Sequence, residues 1–360
     1  MPRQPETGGA PIQLARVDAP LFTPNGERRN GFDNLVIMTG LSHPQLAKDT
    51  AHELSQLVDP SHTIPVVEPV TKFDEGGERR VVIEPNVRGR DVMIIQSLCL
   101  NKETETNVND AWAEVLLMMD ALIRASVGRI YVVIPYYGYG RQDRRSFSRE
   151  PISAAAVAQH IEFGAGGRFG GITTVDLHAQ QIQGSINSPW DDLYGEHVLV
   201  PAIASGVPRP MTIVSPDAGG GKRADRVARR LDATAASAYK TRDPKHPDKT
   251  VTSALMGDVE GTHAVIVDDV IAGGGSLADA AKIAIDHGAI DVYAAVTHAQ
   301  MYGQADQKLT NSPIVRLFTT DTIPQRPHEK KTVLPVAHML AQAIYCSLTG
   351  ESIHETLLDN

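Results

Sequence analysis

The chain has 360 residues, 43 acidic against 34 basic side chains for a formal net charge of -9, and a 42% hydrophobic share. That length can bury two cores, and the acidic balance argues against nonspecific nucleic-acid binding, because no dominant basic stripe exists to release counterions from phosphates. Cys99 and Cys346 alone cannot form a multi-cysteine framework, and no apolar run reaches the ~20 residues that span a bilayer. With no signal-peptide pattern at the N-terminus, a cytoplasmic location without membrane partners is expected.

Residues 1–32 contain Pro2, Pro5, Gly8, Gly9, Pro11, Pro20, Pro24 and Gly26 without sustained periodicity, which predicts a poorly ordered or loosely docked arm. Apolar strands then alternate with helices: Leu35–Met38, Val92–Ile95, a helix at about 111–125, and Ile130–Ile134. A second cycle begins near Pro201, with strands at Met211–Val214, Ala264–Val267 and Val292–Val296 and helices at about 222–232 and 276–287. This alternation predicts an α/β protein of two tandem units, 33–192 and 193–360, each a mainly parallel sheet flanked by helices.

The richest segment is Ala264-Val-Ile-Val-Asp-Asp-Val-Ile-Ala-Gly-Gly-Gly-Ser276. Its four opening residues are apolar on both faces, as in a central parallel strand, and Asp268 and Asp269 fall at the carboxyl edge where such folds bind ligands. Gly273, Gly274 and Gly275 can turn without Cβ clashes, leaving amides free for a phosphate at the start of the next helix. A lone Gly-Gly-Gly is more often an ordinary strand-to-helix turn. Adjacent carboxylates, however, need a cation or a set of donors between them, such as ribose hydroxyls or Mg²⁺, and that favours a sugar-phosphate site.

Other segments carry the same signal. They include Val132-Val-Ile-Pro-Tyr-Tyr-Gly-Tyr-Gly-Arg-Gln-Asp-Arg144, Ser148-Arg-Glu-Pro-Ile152, Asp176-Leu-His-Ala-Gln-Gln-Ile-Gln-Gly184, Val214-Ser-Pro-Asp-Ala-Gly-Gly220 and Val296-Thr-His298. In type, order and spacing, from about Leu35 to about Leu357, they resemble the signatures of the ribose-phosphate pyrophosphokinase family. The resemblance implies two phosphoribosyltransferase-like domains in tandem. It also implies transfer of diphosphate from ATP, with Mg²⁺, to the C1 hydroxyl of ribose 5-phosphate.

The same resemblance assigns residues. Lys240 and Arg242, in Ala238-Tyr-Lys-Thr-Arg-Asp-Pro244, stand where the family carries a Lys-x-Arg pair on a mobile catalytic loop; from the charged segment alone, a solvated connection between strands is the blander reading. Asp268, Asp269, Ala272, Gly273, Gly274, Gly275 and Ser276 are implied to hold ribose 5-phosphate. Phe73, Asp74, Glu75, Glu78, Arg141, Gln142, Asp143 and His178 are implied to hold ATP, the first four from a neighbouring subunit, so a dimer-based homo-oligomer, up to a hexamer, is expected. Gly76-Gly77 equally suits a β-hairpin. His178 and Asp217 are implied metal contacts, although imidazole is an unusual ligand for hard Mg²⁺. Ser148 and Arg149 lie at the family's effector position.

The chain departs from the family pattern at Ala272-Gly273, where Asp-Thr is usual, and at Ser185, Ile186 and Asn187 after the His178 motif; the adenine loop is one residue longer, leaving Asp74 and Glu75 as rivals for one role. Each lost polar contact weakens binding by ~1 to 3 kcal/mol where a partner is left unpaired. These departures leave open a non-catalytic regulatory homologue and, as a third reading, a phosphoribosyltransferase.

Overall fold

In the computed structural model, residues 32–353 are described except 62, 218 and 244–245, and between 240 and 253 only the backbone is described. The expected arm therefore lies outside the described residues but for Phe32, which is buried and stacks on Tyr345 with centroids 5.4 Å apart.

The first half contains strands β1 (Leu35–Met38), β2 (Val66–Val67), β3 (Val70–Lys72), β4 (Arg79–Val81), β5 (Asp91–Ile95), β6 (Arg129–Ile134), β7 (Phe169–Val175) and β8 (Trp190–Leu193). Its helices are α1 (Pro44–Val58), α2 (Val108–Arg124) and α3 (Ser153–Ala165). Six strands form one sheet in the order β2-β1-β5-β6-β7-β8, every pair parallel, while β3 and β4 make a separate antiparallel hairpin. Because helices cover both faces, the central strands are apolar throughout, as the sequence indicates: β1 is buried at all four positions. Helix α2 starts three residues before the expected position, at a capping box in which Asn107 accepts from the amides of Asn109 and Asp110 and Asp110 accepts from the amide of Asn107.

The second half contains α4 (Glu196–Gly206), β9 (Met211–Ser215), α5 (Gly221–Leu231), β10 (Thr234–Asp243), β11 (His246–Met256), β12 (His263–Ile271), α6 (Gly275–Asp286), β13 (Asp291–Ala299), α7 (Ala305–Asn311), β14 (Ile314–Thr320) and β15 (Lys331–Leu334). Its sheet runs β11-β10-β9-β12-β13-β14-β15 and is parallel except at β10–β11. The segment expected as a loop around Lys240 is thus paired backbone, with Lys240 opposite Ser253 and Arg242 opposite Thr250.

Helix α8 (Ala337–Thr349) follows the second sheet in sequence but packs with the first half. Val336, Met339, Leu340 and Ile344 share one core with Leu46, Leu54, Met93 and Ile95. Chain order alone would place α8 in the second unit, and burial places it against α1.

Candidate active site

Strand β12 is longer than its apolar opening suggests, so Asp268 and Asp269 lie inside it and the chain turns only after Ile271. Gly274 then takes φ +70°, a left-handed conformation that suits glycine, and serves as the N-cap of α6. No side chain caps that helix, so its first-turn amides are available to an anion. Lys308 of α7 donates to the Gly273 carbonyl at 2.9 Å, adding a positive charge beside the turn.

The two carboxylates are already held by the protein. Asp269 is buried; its Oδ2 lies 2.7 Å from Nδ1 of His178, which follows β7 in the other sheet, and its Oδ1 accepts from Nη1 of Arg223 at 3.2 Å. The same guanidinium nitrogen is 3.6 Å from Oδ1 of Asp268. Burial favours the neutral form of Asp269, but the His178 hydrogen bond and the Arg223 charge outweigh it and hold this carboxyl well below the usual range. Asp268 is pushed up to about 8 by burial and by the Asp269 charge. The two carboxylates titrate as a pair, in which Asp269 is held toward its ionised form and Asp268 is driven toward its neutral form. His178 is raised by its hydrogen bond to Asp269, against burial.

Arg223, in the first turn of α5, is the main residue that sequence reading missed. The cation expected between the twin carboxylates is supplied in part by the protein itself. Burial opposes the charge on Arg223, and Asp176, Asp269 and Asp268 together hold it protonated. Periodicity shows Arg223 only as a polar position of a helix, and no local pattern reveals its reach to β12. The buried His298 was visible as the end of Val296-Thr-His298, but its work was not: its ring nitrogens lie 2.8 Å from Oγ1 of Thr322 and 2.9 Å from the carbonyl of Val175, tying β13 to β7. Asp176 likewise accepts from the Gly195 amide at 3.1 Å and from the Thr297 hydroxyl.

Arg141, His178 and Asp269 line one cleft between the halves, together with Tyr136, Gly140 and Asp176. Gln142 and Asp143 are engaged elsewhere. Gln142 accepts from the Ser153 hydroxyl at 2.6 Å, fixing the start of α3, and Asp143 accepts from Gln181 at 2.9 Å. Phe73, Asp74, Glu75 and Glu78 form the exposed end of the β3–β4 hairpin and line neither this cleft nor the neighbouring cavity beneath Asp268. The hairpin reading of this segment holds: the Phe73 amide donates to the Glu78 carbonyl at 2.8 Å, and Gly77 has φ +93°. Its base is fixed by Arg79, whose Nε lies 2.8 Å from Oε1 of the buried Glu114.

Asp217 spends one carboxylate oxygen on the amides of Gly219 and Gly220, at 2.8 and 3.1 Å, and does not line the His178 cleft. Ser148 and Arg149 are exposed on the turn before α3, and Arg149 has φ +67°. The side chains of Lys240 and Arg242 lie outside the described residues.

Parallel sheets whose strand ends bring paired carboxylates, buried cations and uncapped helix amides together define a class of α/β enzymes that hold phosphorylated ligands. A family model for the N-terminal domain of ribose phosphate pyrophosphokinase matches residues 35–164, and one for a phosphoribosyl synthetase-associated domain matches residues 228–357. Ribose-phosphate pyrophosphokinase A of Dictyostelium discoideum is 40% identical over 331 residues, covering 91% of this chain and 99% of that relative. The ribose-phosphate pyrophosphokinase of Caldanaerobacter subterraneus is 40% identical over 328 residues, covering 89% and 97%. The crystal structure of phosphoribosylpyrophosphate synthetase from Mycobacterium smegmatis matches with a TM-score of 0.77 at 32% identity, covering 88% of this chain and 99% of that one. The chain belongs to the ribose-phosphate pyrophosphokinase family.

Proposed function

We propose that the protein transfers the diphosphate of ATP to the C1 hydroxyl of ribose 5-phosphate, giving 5-phosphoribosyl 1-diphosphate and AMP. The C1 oxygen attacks the β-phosphorus, and the bond from that phosphorus to the α-phosphate oxygen breaks. The observation that carries this reading is the uncapped start of α6 beside Asp268 and Asp269. The 5-phosphate takes the amides of Gly274, Gly275 and Ser276, with Ala272 and Gly273 shaping the approach. Asp268 meets the ribose hydroxyls, and Asp269, fixed by Arg223 and His178, keeps Asp268 in place. Arg141 and His178 face the nucleotide's phosphates, and Lys240 and Arg242 close over the migrating charge from β10, since such transfer depends on positioning and electrostatic stabilisation.

Mg²⁺ belongs in this reading. Among the described residues no group of three or more acidic, histidine or cysteine side chains could hold an ion. This suits Mg²⁺ carried mainly by nucleotide phosphates and water, with His178 and Asp217 as peripheral contacts. When bound, the ion offsets charge on the diphosphate.

The hairpin bearing Phe73, Asp74, Glu75 and Glu78 points to an active homo-oligomer, dimer-based and up to a hexamer, in which a neighbour's hairpin completes the adenine site; Ser148 and Arg149 are proposed effector contacts. We also propose units at 33–192 and 193–360, with α8 donated back to the first. No described helix is long and apolar enough to cross a membrane, and a cytoplasmic enzyme is the reading we adopt. The test is incubation of the full chain with Mg²⁺, ATP and ribose 5-phosphate, with AMP and phosphoribosyl diphosphate followed by chromatography. Stoichiometric appearance of both supports the proposal. No AMP sinks it in favour of a non-catalytic homologue, and turnover only when a nucleobase and phosphoribosyl diphosphate are supplied indicates a phosphoribosyltransferase.

A further inference from the structure

A second cleft lies apart from the one at His178. It lies between the loop after β5, the loop after β13 and the segment joining β14 to β15, with about 730 Å³ of empty space open to solvent. Three cations line it: Lys102, Arg326 and Lys331. None forms an ion pair with another described residue, whereas elsewhere Arg79, Arg124, Arg223 and Arg226 each do. Lys331 is half-buried, with Nζ spent on two neutral oxygens, the Gln325 side chain and the Arg326 carbonyl, each at 3.2 Å. Burial lowers its pKa, the Asp306 charge offsets that only in part and the Arg326 charge adds to it, so the ammonium gains from a further anion. On the same wall, Oδ1 of Asp306 is buried with no hydrogen-bond partner, an acceptor that calls for a donor.

We propose that this cleft is a second small-molecule site, for a phosphate monoester that also carries hydroxyl or amino donors. The dianion sits between Arg326 and Lys331, with Lys102 closing from the other half, and a ligand hydroxyl donates to Asp306. The cleft is open to solvent, so a small phosphate monoester can enter it. Its back wall is also the support of the turn before α6. The Gln300 amide donates to the Ile271 carbonyl, and the Tyr302 amide to the Ala272 carbonyl, each at 2.9 Å. Both residues line the cleft. A ligand that tightens this wall acts on the ribose 5-phosphate loop without occupying it, and so changes KM for that substrate more than kcat.

Glycerol 2-phosphate, which has one phosphate and two hydroxyls, is a suitable probe. Isothermal titration of the full chain should give millimolar binding, at least ten-fold weaker in Arg326→Ala and in Lys331→Met. In a D268N variant the binding should persist, because Asp268 does not line this cleft. Asp306→Ala, which removes the acceptor, should erase the preference for glycerol 2-phosphate over inorganic sulfate. Crystals soaked in the probe should show phosphate density between Arg326 and Lys331. No binding at tens of millimolar, binding equal in wild type and in both cation variants, or density only at the start of α6 would each overturn the proposal.

Discussion

Replacing Arg223 with Met tests the electrostatics of the site most directly. The side chain is buried, reaches Asp269 at 3.2 Å and Asp268 at 3.6 Å, and has Asp176 in its field. Removing one member of a buried ion pair typically costs about 3–5 kcal/mol, because the remaining charge is stranded. We expect about 3 kcal/mol here, since His178 stays bonded to Asp269, and this corresponds to roughly a 100-fold fall in the folded-to-unfolded ratio. The pH dependence gives the sharper signature. In the wild type Asp269 is depressed, so its contribution is present above the unfolded carboxylate value and is lost only as pH falls through the low folded value. Without Arg223 the folded values of Asp268 and Asp269 both rise, so the variant binds protons earlier and its deficit narrows as pH falls. Urea unfolding at pH 7 and pH 4.5 reads the effect, and Arg223→Met combined with Asp269→Asn should lose less than the single variant. A single variant as stable as the wild type at pH 7, or a deficit that does not shrink at pH 4.5, would refute the assignment of Arg223 as the counter-charge.

Lys240→Ala should lower AMP formation on the order of 100-fold or more while leaving circular dichroism and the urea midpoint unchanged; near-normal turnover would remove this lysine from the mechanism. Gly274→Ala, at φ +70°, should cost about 1 kcal/mol of stability and raise KM for ribose 5-phosphate, as steady-state kinetics and urea unfolding can check. His178→Asn should be most destabilising below pH 6.5, with the difference fading as pH rises through the elevated folded value, because a raised histidine stabilises in its protonated form. Glu114→Ala should cost about 3 kcal/mol by removing the buried acceptor of Arg79, of the Leu41 amide and of Gln96, with Asp110 left as the remaining partner of Arg79, and should raise KM for ATP through the loosened β3–β4 hairpin.

What could be read from the sequence was local. Four apolar residues before two aspartates and a glycine run indicate strand, edge and turn, and the backbone at Gly274 does turn there. Apolar periodicity placed α5 and α6 within a residue of where they lie. What could not be read was long-range. The pairing of His178 with Asp269 joins residues 91 positions apart, and Arg223 reaches β12 across 46. The charged, proline-broken stretch after Tyr239 read as a connection, yet β10 and β11 are paired there, because antiparallel pairing needs only backbone groups. Helix α8 carries an apolar pattern that fits any partner, and only the assembled core shows that the partner is α1.

The placement of α8 has a consequence for biogenesis. A ribosome that has released residues 32–193 has made the whole first sheet, yet Leu46, Leu54, Met93 and Ile95 still wait for a segment synthesised about 150 residues later. Until then the nascent chain carries an open greasy face, the kind of surface that chaperones recognise. Cutting the gene between the sheets would thus yield a first fragment prone to clump, and supplying α8 as a separate peptide is the natural remedy.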